Sequence, residues 1–144
     1  MTNYRLDRRF VLLAVGINVV AAGVAAALAF FLSSVAALAW VFGVLAVVLL
    51  LNALRVFALP PLVARTDPGG VRLGGPLTVK PIRVAWLDIE DVSTADGRLY
   101  VDRGGEAVIA FPLAYVGSRA PALMRDVYER LNAANGYQRF DPTT

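Results

Sequence analysis

The chain has 144 residues, and 58% of them are apolar, a larger fraction than in an ordinary soluble domain. Its formal net charge of +3 comes from residues 1–10 and Arg55, because residues 61–144 carry equal numbers of basic and acidic side chains. This distribution excludes the basic face of a nucleic-acid-binding protein. The sequence has no Cys and no His, which excludes disulfides, thiolate nucleophiles, Cys/His zinc sites and imidazole acid–base chemistry.

Residues 10–54 contain no charged side chain. As one straight helix they would be about 68 Å long at about 1.5 Å per residue. The hydrocarbon core of a bilayer is only about 30 Å thick, so the chain must turn back once. Ser33 and Ser34 lie near the middle and favour a corner there. The prediction is a membrane-spanning helical hairpin with spans at residues 10–32 and 35–57.

Positive charge flanks both ends of this hairpin and is absent from its corner. Arg5, Arg8 and Arg9 belong to a basic segment, residues 1–9, while Arg55 lies at the end of the second span and Arg65 follows it. Because Lys and Arg remain on the cytoplasmic side, both termini are predicted to be cytoplasmic, in a multi-pass protein of the inner membrane.

A signal peptide is the alternative interpretation of the first span, since Ser34-Val35-Ala36 loosely resembles a cleavage site. The apolar region at residues 10–32 is longer than the usual core of about 7–15 residues. Even after cleavage, the second span would stop transfer and leave the C-terminal domain in the cytoplasm.

The two spans contain two asparagines and several small residues. Asn18 and Asn52 would bond to each other or to another copy of the chain. Neither span carries a buried charge, since Arg55 lies at the cytoplasmic end of the second span, so a channel or a pump is not indicated. Small residues that would allow close helix approach are Gly16, Ala22, Gly23, Ala26, Ala27 and Gly43.

A proline-rich linker, residues 58–61, ends the second helix and forms a stiff joint. Beyond it the apolar pattern alternates, as in half-buried strands. We predict one domain at residues 62–136 with six or seven short antiparallel strands, which form a bent sheet or partial barrel. The strand segments are residues 62–66, 71–73, 82–86, 92–95, 98–102 and 107–113.

Three local signals refine this α+β prediction. The Asp96-Gly97 pair indicates a tight hairpin turn, with Leu99 and Val101 pointing inward. A final helix begins with Ser118 or Ala120 as its cap and Pro121 in its first turn. Its buried face would carry Leu123, Val127, Leu131 and Ala134, and Gly136 would end it before a flexible tail at residues 137–144.

A tight turn, Trp86-Leu87-Asp88-Ile89, is predicted to put Trp86 and Ile89 into the core. Together with Phe111 before Pro112 and the final helix, this pattern resembles the bacterial PH-like membrane proteins, which have two transmembrane helices and a cytoplasmic pleckstrin-homology-like domain. The resemblance implies a PH-like fold. It implies no particular activity, because that family largely lacks assigned biochemistry. Phosphoinositide-binding relatives carry basic residues in the first hairpin loop, and residues 67–70 here have none.

Arg65 and Arg72 are predicted to oppose each other across the first hairpin. Four basic residues are candidates for contact with an anionic headgroup or a protein partner: Arg65, Arg72, Lys80 and Arg83. The other interpretation is an ordinary sheet face of mixed charge. Asp88, Glu90 and Asp91 would either bind a divalent cation or form a solvated turn. No catalytic, cofactor or metal site is predicted.

Two functions remain open from the sequence. The first is a non-enzymatic membrane protein whose PH-like domain binds another protein or a second copy beside the bilayer. The alternative is a domain that binds anionic lipid headgroups. A transporter would need ionisable residues buried inside the spans, and an enzyme would need a catalytic cluster; the sequence offers neither.

Overall fold

A computed structural model describes residues 1–105 and 108–136, so the predicted tail at 137–144 lies outside the described residues. The chain divides into two compact units. One is the helical segment Arg8–Pro61. The other combines Met1–Asp7 with the segment that begins at Leu62, and we call it the sheet unit.

The helical unit is a hairpin of two helices, α1 (Arg8–Phe31) and α2 (Ala36–Ala58). Both are long and apolar enough to cross a membrane. The helix α1 begins two residues before the predicted span, because helical hydrogen bonding continues through Arg8 and Arg9 although they are too polar for lipid. The connection at residues 32–35 contains Ser33 and Ser34, as the sequence indicates.

The two helices are joined by a polar bond and by alanine contacts. Asn52 Nδ2 donates to Asn18 Oδ1 at 3.0 Å, and Asn18 Nδ2 donates to the Ala14 carbonyl at 2.8 Å. Of the predicted small contact residues, Ala22 is buried, and Ala25 and Ala46 are buried with it. Ala26 and Ala27 are exposed. The glycines make no such approach within the hairpin, because a Cβ added at Gly16, Gly23 or Gly43 would meet nothing within 4 Å.

Among the described residues of the sheet unit, seven strands form two antiparallel sheets. The first sheet has the order β1-β2-β3-β4, and the second has the order β5-β6-β7. Their bounds are β1 Thr2–Arg5, β2 Leu62–Asp67, β3 Gly70–Leu73, β4 Ile82–Ala85, β5 Asp91–Ala95, β6 Arg98–Asp102 and β7 Ile109–Pro112. A hairpin plus an α+β domain is therefore the architecture of the described chain.

The strand β1 corrects the prediction of residues 1–9 as a basic segment only. Its Tyr4 lies opposite Ala64 of β2 and is buried, as is Leu6 just after the strand. A run of four residues is too short to show a period of two, and its partner strand is separated from it by the whole hairpin. The sheet unit is thus discontinuous in sequence, which the predicted boundary at residue 62 misses.

The predicted turns are confirmed where the local signal is strong. Asp96 and Gly97 both have positive φ, 51° and 71°, as a two-residue hairpin turn of this type requires. A short 3₁₀ helix at Trp86–Asp88 leaves Trp86 and Ile89 buried. Leu99 and Val101 are fully buried in the second sheet.

The helix α3 (Ala120–Asn135) packs with both sheets. Leu123, Val127 and Leu131 are buried as predicted, but Ala134 is exposed. Neither Ser118 nor Ala120 caps the helix; the cap position is Arg119, without a side-chain cap, because a 3₁₀ turn at Gly117–Arg119 leads directly into the helix. Gly136 ends it with φ 69°, as predicted.

Candidate ligand-binding face

Three arginines form a row across the outer face of the first sheet. Arg65 on β2 lies opposite Arg72 on β3, and Arg72 lies opposite Arg83 on β4. Directly opposed side chains on neighbouring strands have Cβ atoms about 4.5–5.5 Å apart. The three side chains therefore leave neighbouring positions on one face of the sheet, and we call these three residues the arginine row.

The opposite face of this sheet explains why the row points outward. Thr66, Val71 and Val84 are aligned across the same three strands, and each is at most 1% exposed. Because successive side chains on a strand alternate between faces, the residues next to them must point away from the core. Arg65 and Arg72 are half-buried, and Arg83 is exposed.

One carboxylate accompanies the row on its face. Asp67, two residues after Arg65 on β2, has its Oδ1 3.8 Å from the Arg83 guanidinium and accepts a 2.9 Å bond from the Gly69 backbone N–H. Burial opposes ionisation of Asp67, but the bond from Gly69 and the charge of Arg83 outweigh it and lower the pKa of the carboxyl. Asp67 is therefore ionised at neutral pH and compensates one arginine of three.

The remaining positive charge is incompletely satisfied. The Nε atoms of Arg65 and Arg72 are buried and have no hydrogen-bond partner within residues 1–105 and 108–136. The Arg65 Nη2 donates to the Met1 sulfur at 2.8 Å, which is a weak acceptor and carries no charge. Like charges directly opposite each other destabilise a sheet. Because Arg83 is exposed and Arg65 and Arg72 are half-buried, the accessible N–H groups of the row can donate hydrogen bonds to negatively charged oxygens.

The other predicted basic residues lie elsewhere. Lys80 is exposed in the loop between β3 and β4 and is not part of the row. Arg5 ends β1, Arg8 and Arg9 begin α1, and Arg55 lies in the last turn of α2. The sequence grouped Lys80 with Arg65, Arg72 and Arg83 by proximity along the chain, whereas the strand register selects only the three arginines.

The predicted core signature is a packing feature and not part of the row. Trp86 is buried, and its indole N–H donates to the Asp67 carbonyl at 2.9 Å. Ile89 and Phe111 are also buried, while Asp88 is exposed. The indole bond ties the 3₁₀ turn to the end of β2, so it helps to hold Asp67 beside Arg83.

A groove separates the edges of the two sheets. Its volume is about 340 Å³, and its lining is mostly apolar. One side is formed by the end of β3, the following glycines and Ile82, and the other by β7 and Tyr115. No charged side chain lines the groove. The arginine row would therefore select a ligand by its charge, which the groove would not.

Sequence reasoning missed the most connected carboxylate of the sheet unit, Asp126 on α3. Its Oδ2 accepts bonds from the Thr66 and Tyr4 hydroxyls, and its Oδ1 accepts one from Arg130 Nε at 2.7 Å. Burial opposes ionisation, but the Thr66 and Arg130 bonds outweigh it and lower the pKa of Asp126. The sequence does contain a signal for this site, because Asp126 lies on the buried side of an amphipathic helix, four residues before Arg130.

The acidic residues at the start of β5 do not converge. The Asp91 carboxylate accepts a bond from the next backbone N–H, and the Glu90 side chain lies over Gly104. Across residues 1–105 and 108–136, no three acidic side chains approach closely enough to hold a metal ion.

Comparison of the chain with protein-family models, with curated proteins and with solved structures gives no match.

Proposed function

We propose that this chain is a non-enzymatic, multi-pass protein of the inner membrane whose PH-like domain, at the cytoplasmic face, binds an acidic segment of a partner protein through the arginine row. The observation that carries the proposal is the direct opposition of Arg65, Arg72 and Arg83, of which Arg83 is paired with the Asp67 carboxylate.

Membrane insertion is supported by the surface of the hairpin. Large apolar side chains along both helices are exposed, among them Val20, Phe31, Trp40, Leu51 and Leu54. The core helix of a soluble protein would bury such side chains, and in water this surface would be an unusually large apolar patch. A bilayer is the solvent in which these side chains are stable.

The connectivity of the first sheet supports a topology in which both ends of the hairpin lie on the same side of the membrane. β1 precedes α1 in the chain, β2 follows α2, and the two strands are paired. A chain that crossed the bilayer once would separate these strands. The arginines at positions 5, 8, 9 and 55 then favour the cytoplasmic side. Signal-peptide cleavage after the first span would remove β1 from its sheet.

The PH-like proposal is supported by the arrangement of elements. A four-stranded sheet, a three-stranded sheet and a closing C-terminal helix occur in this order along the chain, with Trp86 at the junction between the sheets. The departure from a simple PH-like domain is the connection between β1 and β2, which here contains the whole helical hairpin. Fold alone assigns no ligand, so the ligand is argued from the arginines.

A protein ligand fits the position of the row better than a bilayer does. The row crosses the middle of three strands on a lateral face, and not the end of the sheet at which residues 5 and 62 connect to the helices. Adjacent strands are about 4.8 Å apart, so the row offers regularly spaced donors to carboxylates of an extended segment. Arginine pairs with carboxylates through two parallel hydrogen bonds, which gives geometric specificity.

The test uses the full chain in nanodiscs of neutral lipid and a fluorescent hexaglutamate peptide as the probe. We expect salt-sensitive binding that falls at least about tenfold in Arg72→Gln, which corresponds to about 1.4 kcal/mol. Arg125→Gln is the matched control, because Arg125 is an exposed arginine on α3, away from the row. Equal binding by both variants would contradict the proposal.

The same preparation separates the other two candidates. Binding to soluble phosphatidylglycerol headgroup analogues, with none to the peptide, would assign the row to anionic lipid. A monomer–dimer equilibrium that Arg72→Gln abolishes would assign it to self-association. Either result replaces the acidic protein segment as the ligand.

A further inference from the structure

The loop between β3 and β4, residues 74–81, presents two large apolar side chains to solvent. Leu77 is 94% exposed and Val79 is 93% exposed, and no other large apolar residue within the described chain is as exposed. Lys80 follows them directly and is exposed as well. A pair of apolar side chains next to a cation is the composition of a segment that enters a membrane interface.

The loop holds this shape through its own hydrogen bonds. The Thr78 N–H donates to the Gly75 carbonyl at 3.1 Å, and the Gly75 N–H donates to Thr78 Oγ1 at 2.7 Å. Pro76 and Leu77 are the two central residues of the turn that these bonds close. The exposure of Leu77 is therefore imposed by a closed turn.

The sheet register fixes the end of the sheet unit from which the loop projects. Gly74 N–H donates to the Val63 carbonyl at 2.9 Å, next to Leu62, and Leu62 lies opposite Arg5. Arg5 and Leu62 are the strand residues nearest the two connections to the helical hairpin. The loop thus leaves the sheet at the end where the chain passes to α1 and arrives from α2.

The connections at this end are short. Residues 6 and 7 join β1 to α1, and residues 59–61 join α2 to β2. Since each residue extends at most about 3.3–3.6 Å, neither connection can carry this end of the sheet far from the start of a span.

We propose that Leu77 and Val79 insert into the interface of the bilayer that holds the hairpin, with Lys80 at the level of anionic headgroups. The loop is then a third membrane attachment, besides the two connections, and it fixes the tilt of the sheet unit. This inference rests on the membrane anchoring proposed above and does not depend on the ligand of the arginine row. The occupant is the bilayer, because the loop shares its end of the sheet with both chain connections and carries a cation.

The absence of cysteine makes a site-specific test direct. Leu77→Cys is labelled with an environment-sensitive fluorophore in the full chain, at one copy per nanodisc, with lipids that carry a shallow nitroxide quencher. We expect a blue-shifted emission that the nitroxide quenches, and a smaller shift when Lys80→Gln is added in anionic lipid. Leu87→Cys is the matched control, since Leu87 is 77% exposed but follows β4 at the opposite end of the sheet.

Equal emission and quenching at Leu77→Cys and Leu87→Cys would overturn the inference. So would a blue shift at position 77 that requires two copies per disc, because the occupant would then be another chain. A label at Val48→Cys, in the middle of α2, reports the hairpin separately, in nanodiscs whose lipids carry the nitroxide deep in the acyl chains. Quenching at position 48 without quenching at 77 rejects only the loop insertion, whereas no quenching at 48 rejects the membrane anchoring as well.

Discussion

The Tyr4 hydroxyl donates to Asp126 Oδ2 at 3.4 Å, although the two residues are 122 positions apart in the sequence. The same carboxylate oxygen accepts the Thr66 hydroxyl of the neighbouring strand. One acid on α3 therefore fastens the helix to both β1 and β2, on the two sides of the inserted hairpin. On the other flank of α3, the Tyr128 hydroxyl donates to the Val92 carbonyl of β5 at 3.1 Å.

Replacement of Asp126 tests this attachment. We expect Asp126→Asn to destabilise the sheet unit by about 2 kcal/mol, because the amide loses charge-assisted bonds to Thr66 and Arg130. The measurement is urea unfolding in detergent, followed by the fluorescence of Trp86 in chains that carry Trp40→Phe. Glu129→Gln, an exposed acid on the same helix, is the control and should change stability by less than about 0.5 kcal/mol. Similar losses in both variants would contradict this role.

The pH dependence of stability follows from two carboxyls. The pKa values of Asp126 and Asp67 are both lowered in the folded chain, because bonds and arginine charges outweigh burial. A lowered pKa contributes stability above the unfolded value of about 3.9 and loses it as the pH falls through the folded value. We therefore expect unfolding midpoints to be constant from pH 7 to pH 5 and to fall below about pH 4. The decrease should be smaller in Asp126→Asn.

Gly70 allows the close approach of β3 and β4 on which the arginine row depends. A Cβ at this position would collide with the Val84 carbonyl. We expect Gly70→Ala to cost about 1–3 kcal/mol and to weaken peptide binding, since it separates Arg72 from Arg83. At the adjacent Gly69, a Cβ would have only ordinary contacts at 3.4 Å, so Gly69→Ala is the matched control. The prediction is wrong if the two variants have equal melting temperatures.

The amide pair in the hairpin gives a fourth prediction. Asn52→Ala removes the donor to Asn18 Oδ1, and we expect a loss of about 1 kcal/mol in helix–helix stability. Reversible unfolding in mixed micelles measures it, with Leu51→Ala as the control on an exposed neighbouring position. A larger loss at position 51 than at 52 would show that apolar contact outweighs the amide bond.

The sequence predicts those parts of the fold whose signals are local. The apolar length of α1 and α2, the Asp96-Gly97 turn and the buried Trp86 and Ile89 all depend on a few adjacent residues. It also predicts that Arg65 and Arg72 oppose each other, because a tight turn fixes the register of its hairpin.

The features that the sequence does not predict depend on distant segments. The strand β1 is defined by β2, from which the hairpin separates it, and its four residues carry no period of their own. Arg83 joins the row only through the register of β3 with β4, across a loop of eight residues that no turn rule covers. Asp126 resembles an ordinary surface acid until Tyr4 and Thr66 are brought to it.

The interruption of the first sheet by the helical hairpin has a consequence for biogenesis. β1 is synthesised before the bilayer segments and can pair only after β2 has left the ribosome. Under the proposed membrane topology, a chain whose second helix failed to return would keep the two strands on opposite sides of the membrane, and the edge of β2 would stay unpaired. Completion of the sheet would then distinguish chains whose hairpin had been inserted as proposed from those in which it had not.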